Sequence, residues 1–99
     1  MNTDPQTIIN LLMPPNIKYK KIVDSDLRAS SIESAERIFK KGEEHLEELL
    51  ERGLLKKEGE YAFTEMKKAI QDLLKLGFRS DAYKFAMRYT SAKQEYSVH

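Results

Sequence analysis

Ninety-nine residues carrying 17 basic and 16 acidic side chains, a formal charge of +1, fit one domain and exclude a polybasic, histone-like binder. The absence of cysteine excludes a disulfide framework and a thiolate zinc site, and points to an intracellular, cytoplasmic protein. No run approaches the ~20 apolar residues of a membrane span, and the opening stretch has no basic flank of the kind an export signal carries.

Asp4 and Pro5 open a short helix, the carboxylate capping free amides and the ring pre-setting the first helical residue. Ile8, Ile9, Leu11 and Leu12 give it an apolar face, and Pro14 with Pro15 stops it after about two turns. In NIKYKKIVDSD, Ile17 and Tyr19 share a side and Ile22 with Val23 favour an extended chain, so a strand or arm is predicted there.

Ser30 and Glu33 form an S-x-x-E capping box ahead of the longest periodic stretch. Ile32, Ala35, Phe39, Gly42, Leu46 and Leu49 alternate spacings of three and four, which places them on one stripe of a helix running to Arg52. Gly53 is its left-handed C-terminal residue, with Leu54 folding back on the last turn. Gly42 costs a helix interior ~1 kcal/mol against Ala, so it marks either a close helix contact or a break.

LLKKEGEYAF reads as a hairpin, with Glu58 and Gly59 at the turn and Tyr61 and Phe63 on one face of the returning strand. Thr64 then caps a helix bearing Met66, Ala69, Ile70, Leu73 and Leu74, and Gly77 with Phe78 ends it. Ser80 caps a last helix that turns Ala82, Phe85, Ala86, Tyr89 and Ala92 inward and Lys84 and Arg88 outward. The predicted fold is a single mainly α domain over 1–99, with four to five helices, a short β-hairpin and an additional N-terminal strand or arm. The dominance of Lys and Glu leans toward a hot-environment source.

Gly53, Leu54, Leu55, Lys57, Gly59, Tyr61, Thr64 and Glu65 form the pattern G-L-L-x-K-x-G-x-Y-x-x-T-E. Over roughly residues 45 to 76 the chain resembles small archaeal-type winged-helix DNA-binding regulators. That resemblance implies a reading helix ended by glycine, a wing, and a long helix used for dimerisation. It places Lys56 and Lys57 at backbone phosphates. Glu43, Glu44, Glu47, Glu48 and Glu51 repel phosphate, which leaves further DNA contacts to Arg37, Lys40 and Lys41 and to the arm residues Lys18, Lys20 and Lys21. A lesser likeness lies in LKLGFRSDAYKFAMRY, which resembles the helix-turn-helix half of ribbon-helix-helix repressors, with EYAF as the pairing strand.

A short chain buries a small share of its surface, so a homodimer is expected, formed through the last two helices with Phe78, Phe85, Tyr89 and Tyr96. The expected function is a homodimeric DNA-binding transcriptional regulator of winged-helix character acting on double-stranded DNA. The alternative is a non-enzymatic helical module that binds a protein partner through the C-terminal helix or through an acidic face between Glu43 and Glu51, a stretch that also reads as a solvated helix side. Tyr19 has two readings, core packing and base stacking.

No enzyme, cofactor or metal is expected. The bundle spacing E-x-x-H would need an acid at Gly42 to make His45 a ligand, and the other histidine is His99. No serine sits in a strand-turn-helix elbow beside a base, and the four glycines form no phosphate-cradling loop.

Overall fold

The computed structural model describes residues 4–13 and 24–96, and every regular element among them is a helix. These are α1 (Pro5–Leu12), α2 (Ser25–Glu51), α3 (Leu55–Lys75) and α4 (Arg79–Glu95). The predicted N-terminal strand or arm, with Lys18, Lys20 and Lys21, lies almost wholly outside the described residues.

Helix α1 forms as its sequence dictates. The Asp4 carboxylate accepts the Thr7 amide at 2.9 Å, Pro5 occupies the first turn, and Ile8 and Ile9 are buried. That amide contact holds the Asp4 carboxyl below its usual value.

Helix α2 starts ahead of the predicted capping box. Asp24 accepts the amides of Asp26 and Leu27, each at 3.0 Å, so the free donors are satisfied before Ser30 is reached. Ser30 sits inside the helix and donates to the Leu27 carbonyl at 3.1 Å. The helix runs unbroken through Gly42, which is buried in a close helix contact. A Cβ there would lie 3.3 Å from Cγ and Sδ of Met66 on α3.

Residues 55–63 correct the hairpin expectation. Among the described residues there is no strand, and the whole segment belongs to α3. Leu55, Gly59, Ala62, Phe63 and Met66 keep the three-and-four spacing of the residues that follow, so one apolar stripe runs the length of α3 against α2. Gly59 makes no turn. It admits a close approach, since a Cβ would stand 3.2 Å from Leu55 Cδ1 and 3.6 Å from Leu46 Cδ2. Thr64 caps nothing and bonds back to the Glu60 carbonyl at 2.9 Å within the helix. With the hairpin go the wing and the EYAF pairing strand: the winged-helix architecture is not the fold of this chain.

The two helix ends at Gly53 and Gly77 are built alike. Leu54 N–H donates to the Leu49 carbonyl and Gly53 N–H to Leu50; Phe78 donates to Leu73 and Gly77 to Leu74. Both glycines have positive φ, +70° and +88°. The first motif closes α2 onto α3 as an antiparallel helical hairpin with a very short connection. Phe78, not Ser80, occupies the N-cap of α4, and no side chain caps that end.

Helix α4 packs chiefly on α3 and α1 chiefly on α4, which gives a slab of 44 × 28 × 17 Å whose long edge is set by α2. Phe39, Leu46, Met66, Ile70 and Leu74 are fully buried between these elements. Phe39 and Phe85 meet at 5.0 Å between ring centroids, and Phe63 meets Tyr89 edge-on at 5.8 Å. Burial pushes the Tyr89 hydroxyl up to about 12. Phe78, Phe85 and Tyr89, expected at a dimer interface, are therefore within this chain's own core, at 7, 7 and 3% exposure. The single helical layer pair of α3 and α4, with α2 and α1 against them, covers these aromatics without a second copy.

Candidate protein-interaction face

Three charged contacts fasten the slab on the side where α4 lies. Arg28 at the start of α2 grips Asp81 in the first turn of α4 with two hydrogen bonds, Nε to Oδ2 at 2.8 Å and Nη2 to Oδ1 at 3.0 Å. The Asp81 side chain is only 7% exposed. The hydrogen bonds from Arg28 hold its carboxyl below the usual range against the opposing effect of burial, and the same pairing raises Arg28.

Arg88, predicted to point outward, instead folds over Phe39 and Phe85, 5.3 and 5.5 Å from their ring centroids. It donates to Glu36 and Glu43 on α2. Burial works to lower its pKa, but those two carboxylates carry it higher. Lys93 lies 4.4 Å over the Phe63 ring in the same manner. These groups are structural, because each is already satisfied by a partner within the fold.

The opposite side of the α2–α3 hairpin is different. Two shallow depressions of about 500 and 460 Å³ meet at Ile38 and, among the described residues, are lined by α2, α3 and the α3 C-cap Leu76. The floor is made of small side chains, Ala35 and Gly42 on α2 and Ala62 and Ala69 on α3. At one edge stands Tyr61, 68% exposed, beside His45, Glu44 and Glu48. A strand would have put Tyr61 and Phe63 on one face; in α3, two residues apart, they diverge, and Phe63 is 5% exposed. Neither α1 nor α4 contributes to this groove.

Charge is sorted along the outer surface of α2. Ser34, Arg37, Lys41, Glu44, Glu48 and Glu51 recur at three and four residues, so they share one stripe, and all six are exposed. Its middle is basic and its C-terminal part acidic. The last turn holds no basic residue, so the glutamates face the negative end of the helix dipole, with the exposed C-cap residue Arg52 pairing to Glu48 at 3.7 Å.

The described residues read as DNA contacts fall in two groups. Arg37, Lys40 and Lys41 lie together and exposed on α2, and Lys56 and Lys57 are exposed in the first turn of α3. Gly42 packs at the level of Met66 and Leu46 at the level of Gly59. By that register Lys56 and Lys57 stand at the axial level of the acidic part of α2, roughly 10 Å along the axis from Lys41, and Lys56 lies on the side of Lys93 and Tyr96. Tyr96 is partly buried against the core at the end of α4, where burial raises its hydroxyl.

A second apolar area, Tyr83 and Met87 at 40 and 50% exposure, borders α1 on α4. Among the described residues no three histidine or carboxylate groups converge as a metal ion would require, and no helix is long and apolar enough to cross a membrane.

The exposed Tyr61 and the α2–α3 groove escaped sequence reasoning because turn-forming residues hide the helical period across Gly59. The Arg28–Asp81 pair had no local signal at all. Compared with known proteins, the chain matches no family model, no curated protein and no solved structure.

Proposed function

We propose that this chain is a non-enzymatic helical interaction module that binds a protein partner on the α2–α3 face. The observation that carries the reading is the groove itself: two adjoining depressions between two helices, with Ile38 where they meet and Tyr61 exposed at the edge, that no other element among the described residues covers. The acidic end of α2 supports it. Glu44, Glu48 and Glu51 stand at three- and four-residue spacing with, among the described residues, only the exposed Arg52 paired to Glu48, which leaves an acidic surface suited to a basic helical one.

Among the described residues a duplex-DNA role would rest on Arg37, Lys40, Lys41, Lys56 and Lys57, and Glu44 and Glu48 continue the exposed stripe of Arg37 and Lys41 where phosphates would have to lie. That weighs toward a protein partner.

The test is a fluorescence-anisotropy titration with a labelled helical peptide carrying lysine and arginine along one face. Saturable binding at low salt is expected, abolished by replacing Glu44, Glu47 and Glu48 with Lys. No binding, or binding that the triple variant leaves unchanged, would contradict the reading.

A further inference from the structure

We infer that the partner fitted by the α2–α3 face is a second copy of this chain, docked antiparallel about a two-fold axis at the level of Gly42 and Glu43. This rests on the reading of that face as an interaction surface and names its occupant.

The argument is charge complementarity of the face with itself. Along the exposed stripe of α2 the order is Ser34, Arg37, Lys41, Glu44, Glu48, Glu51, neutral and basic on one side of Gly42–Glu43 and acidic on the other. A two-fold axis at that level sets Arg37 opposite Glu48 of the second copy and Lys41 opposite its Glu44. Each pair occurs twice, because the interface is isologous. Ser34 then meets Glu51 of the second copy, so no like charges face each other at any of these positions. A parallel arrangement would oppose Arg37 to Arg37 and Glu44 to Glu44. The stripe thus selects the antiparallel form by attraction in one and repulsion in the other.

The same axis supplies apolar contact. Tyr61 lines the groove beside His45, on the acid side of the axis, while Ile38 lies on the basic side. Rotation brings Tyr61 of each copy toward Ile38 of the other, over the small-residue floor of Gly42 and Ala62. The ionic contacts are solvent-facing, so they set the register and make assembly salt-dependent, and the tyrosine provides the surface that leaves water. By contrast, the Tyr83–Met87 area has no comparable match of charges about itself, being edged by Arg79 and Lys84.

The experiment pairs two charge-reversed chains. One carries Arg37→Glu with Lys41→Glu, the other Glu44→Lys with Glu48→Lys; circular dichroism verifies that each is helical, and sedimentation equilibrium at low salt reads the mass. The unaltered chain is expected as a dimer that dissociates as salt is raised. Each reversed chain alone is expected as a monomer, and an equimolar mixture as a heterodimer. Tyr61→Ala, which touches no charge, is expected to weaken self-association at least tenfold.

An unaltered chain that stays monomeric, or a mixture that fails to pair, overturns the inference. If the unaltered chain is monomeric yet binds the basic helical peptide through the glutamates, the interaction reading stands with a different partner. If it does neither, both readings fall.

Discussion

Arg28 and Asp81, 53 residues apart, join the first turns of α2 and α4 through two hydrogen bonds at 2.8 and 3.0 Å. Asp81 is buried and sits where the α4 dipole also favours an anion, so the contact orients α4 on the hairpin. Because its carboxyl titrates below the ordinary value of about 4 in the folded chain, its stabilising effect is complete above that value. It is lost as pH falls through the lowered one. Asp81→Asn should destabilise the protein by ~1 kcal/mol at pH 7 and show a smaller loss of stability between pH 5 and pH 2 than the unaltered chain. Urea denaturation at both ends of that range decides it; equal pH dependence in the two chains would remove the role given to Asp81.

Tyr61 and Phe63 separate the helix from the hairpin. Phe63→Ala should cost ~3 to 5 kcal/mol, as truncation of a core aromatic does, because Phe63 is buried against Tyr89 and Lys93. Tyr61→Ala should leave stability within ~0.5 kcal/mol, since the ring faces outward. Thermal unfolding of dilute samples measures both. Comparable losses would mean that the two rings share a face, as a strand would have them.

Gly53 and Gly42 respond to opposite constraints. Nothing stands within 4 Å of a Cβ at Gly53, but its φ of +70° means Gly53→Ala should cost ~1 kcal/mol in backbone strain alone. At Gly42 the backbone is helical and the neighbour is the flexible Met66 at 3.3 Å, so Gly42→Ala should be near neutral while Gly42→Leu costs ~1 to 3 kcal/mol by forcing α2 from α3. Chemical denaturation of the three variants orders them; a tolerated Gly42→Leu would contradict the close packing.

The acidic end of α2 makes a prediction that runs against stability. Glu51→Lys places a cation in the last turn of a helix that has none there and should stabilise the folded chain by a few tenths of a kcal/mol. It should leave self-association unchanged, because Glu51 meets the neutral Ser34 of the second copy. Stabilisation accompanied by a marked change in association would contradict the register that pairs Arg37 with Glu48 and Lys41 with Glu44.

How far the sequence disclosed this molecule follows from the reach of each signal. Asp4 with Pro5, and the paired ends Gly53–Leu54 and Gly77–Phe78, act within one turn of helix, and their hydrogen bonds are those the residues themselves specify. Glu58–Gly59 and Thr64 also look decisive locally, yet the stripe of Leu55, Ala62 and Met66 on α2 outweighs them, since a continuous buried face is worth more than a turn preference. Ser30 lost its cap to Asp24 for a similar reason, the earlier residue satisfying the same amides. The groove and the Arg28 and Arg88 contacts depend on where α4 lies across the hairpin, which no spacing along the chain encodes.

The face itself is tested most directly by following backbone amide resonances through a dilution series at low salt. Concentration-dependent shifts are predicted at Ile38, Lys41, Glu44 and Tyr61, with Tyr83 and Met87 unmoved. Shifts confined to Tyr83 and Met87, or none anywhere, would contradict the account.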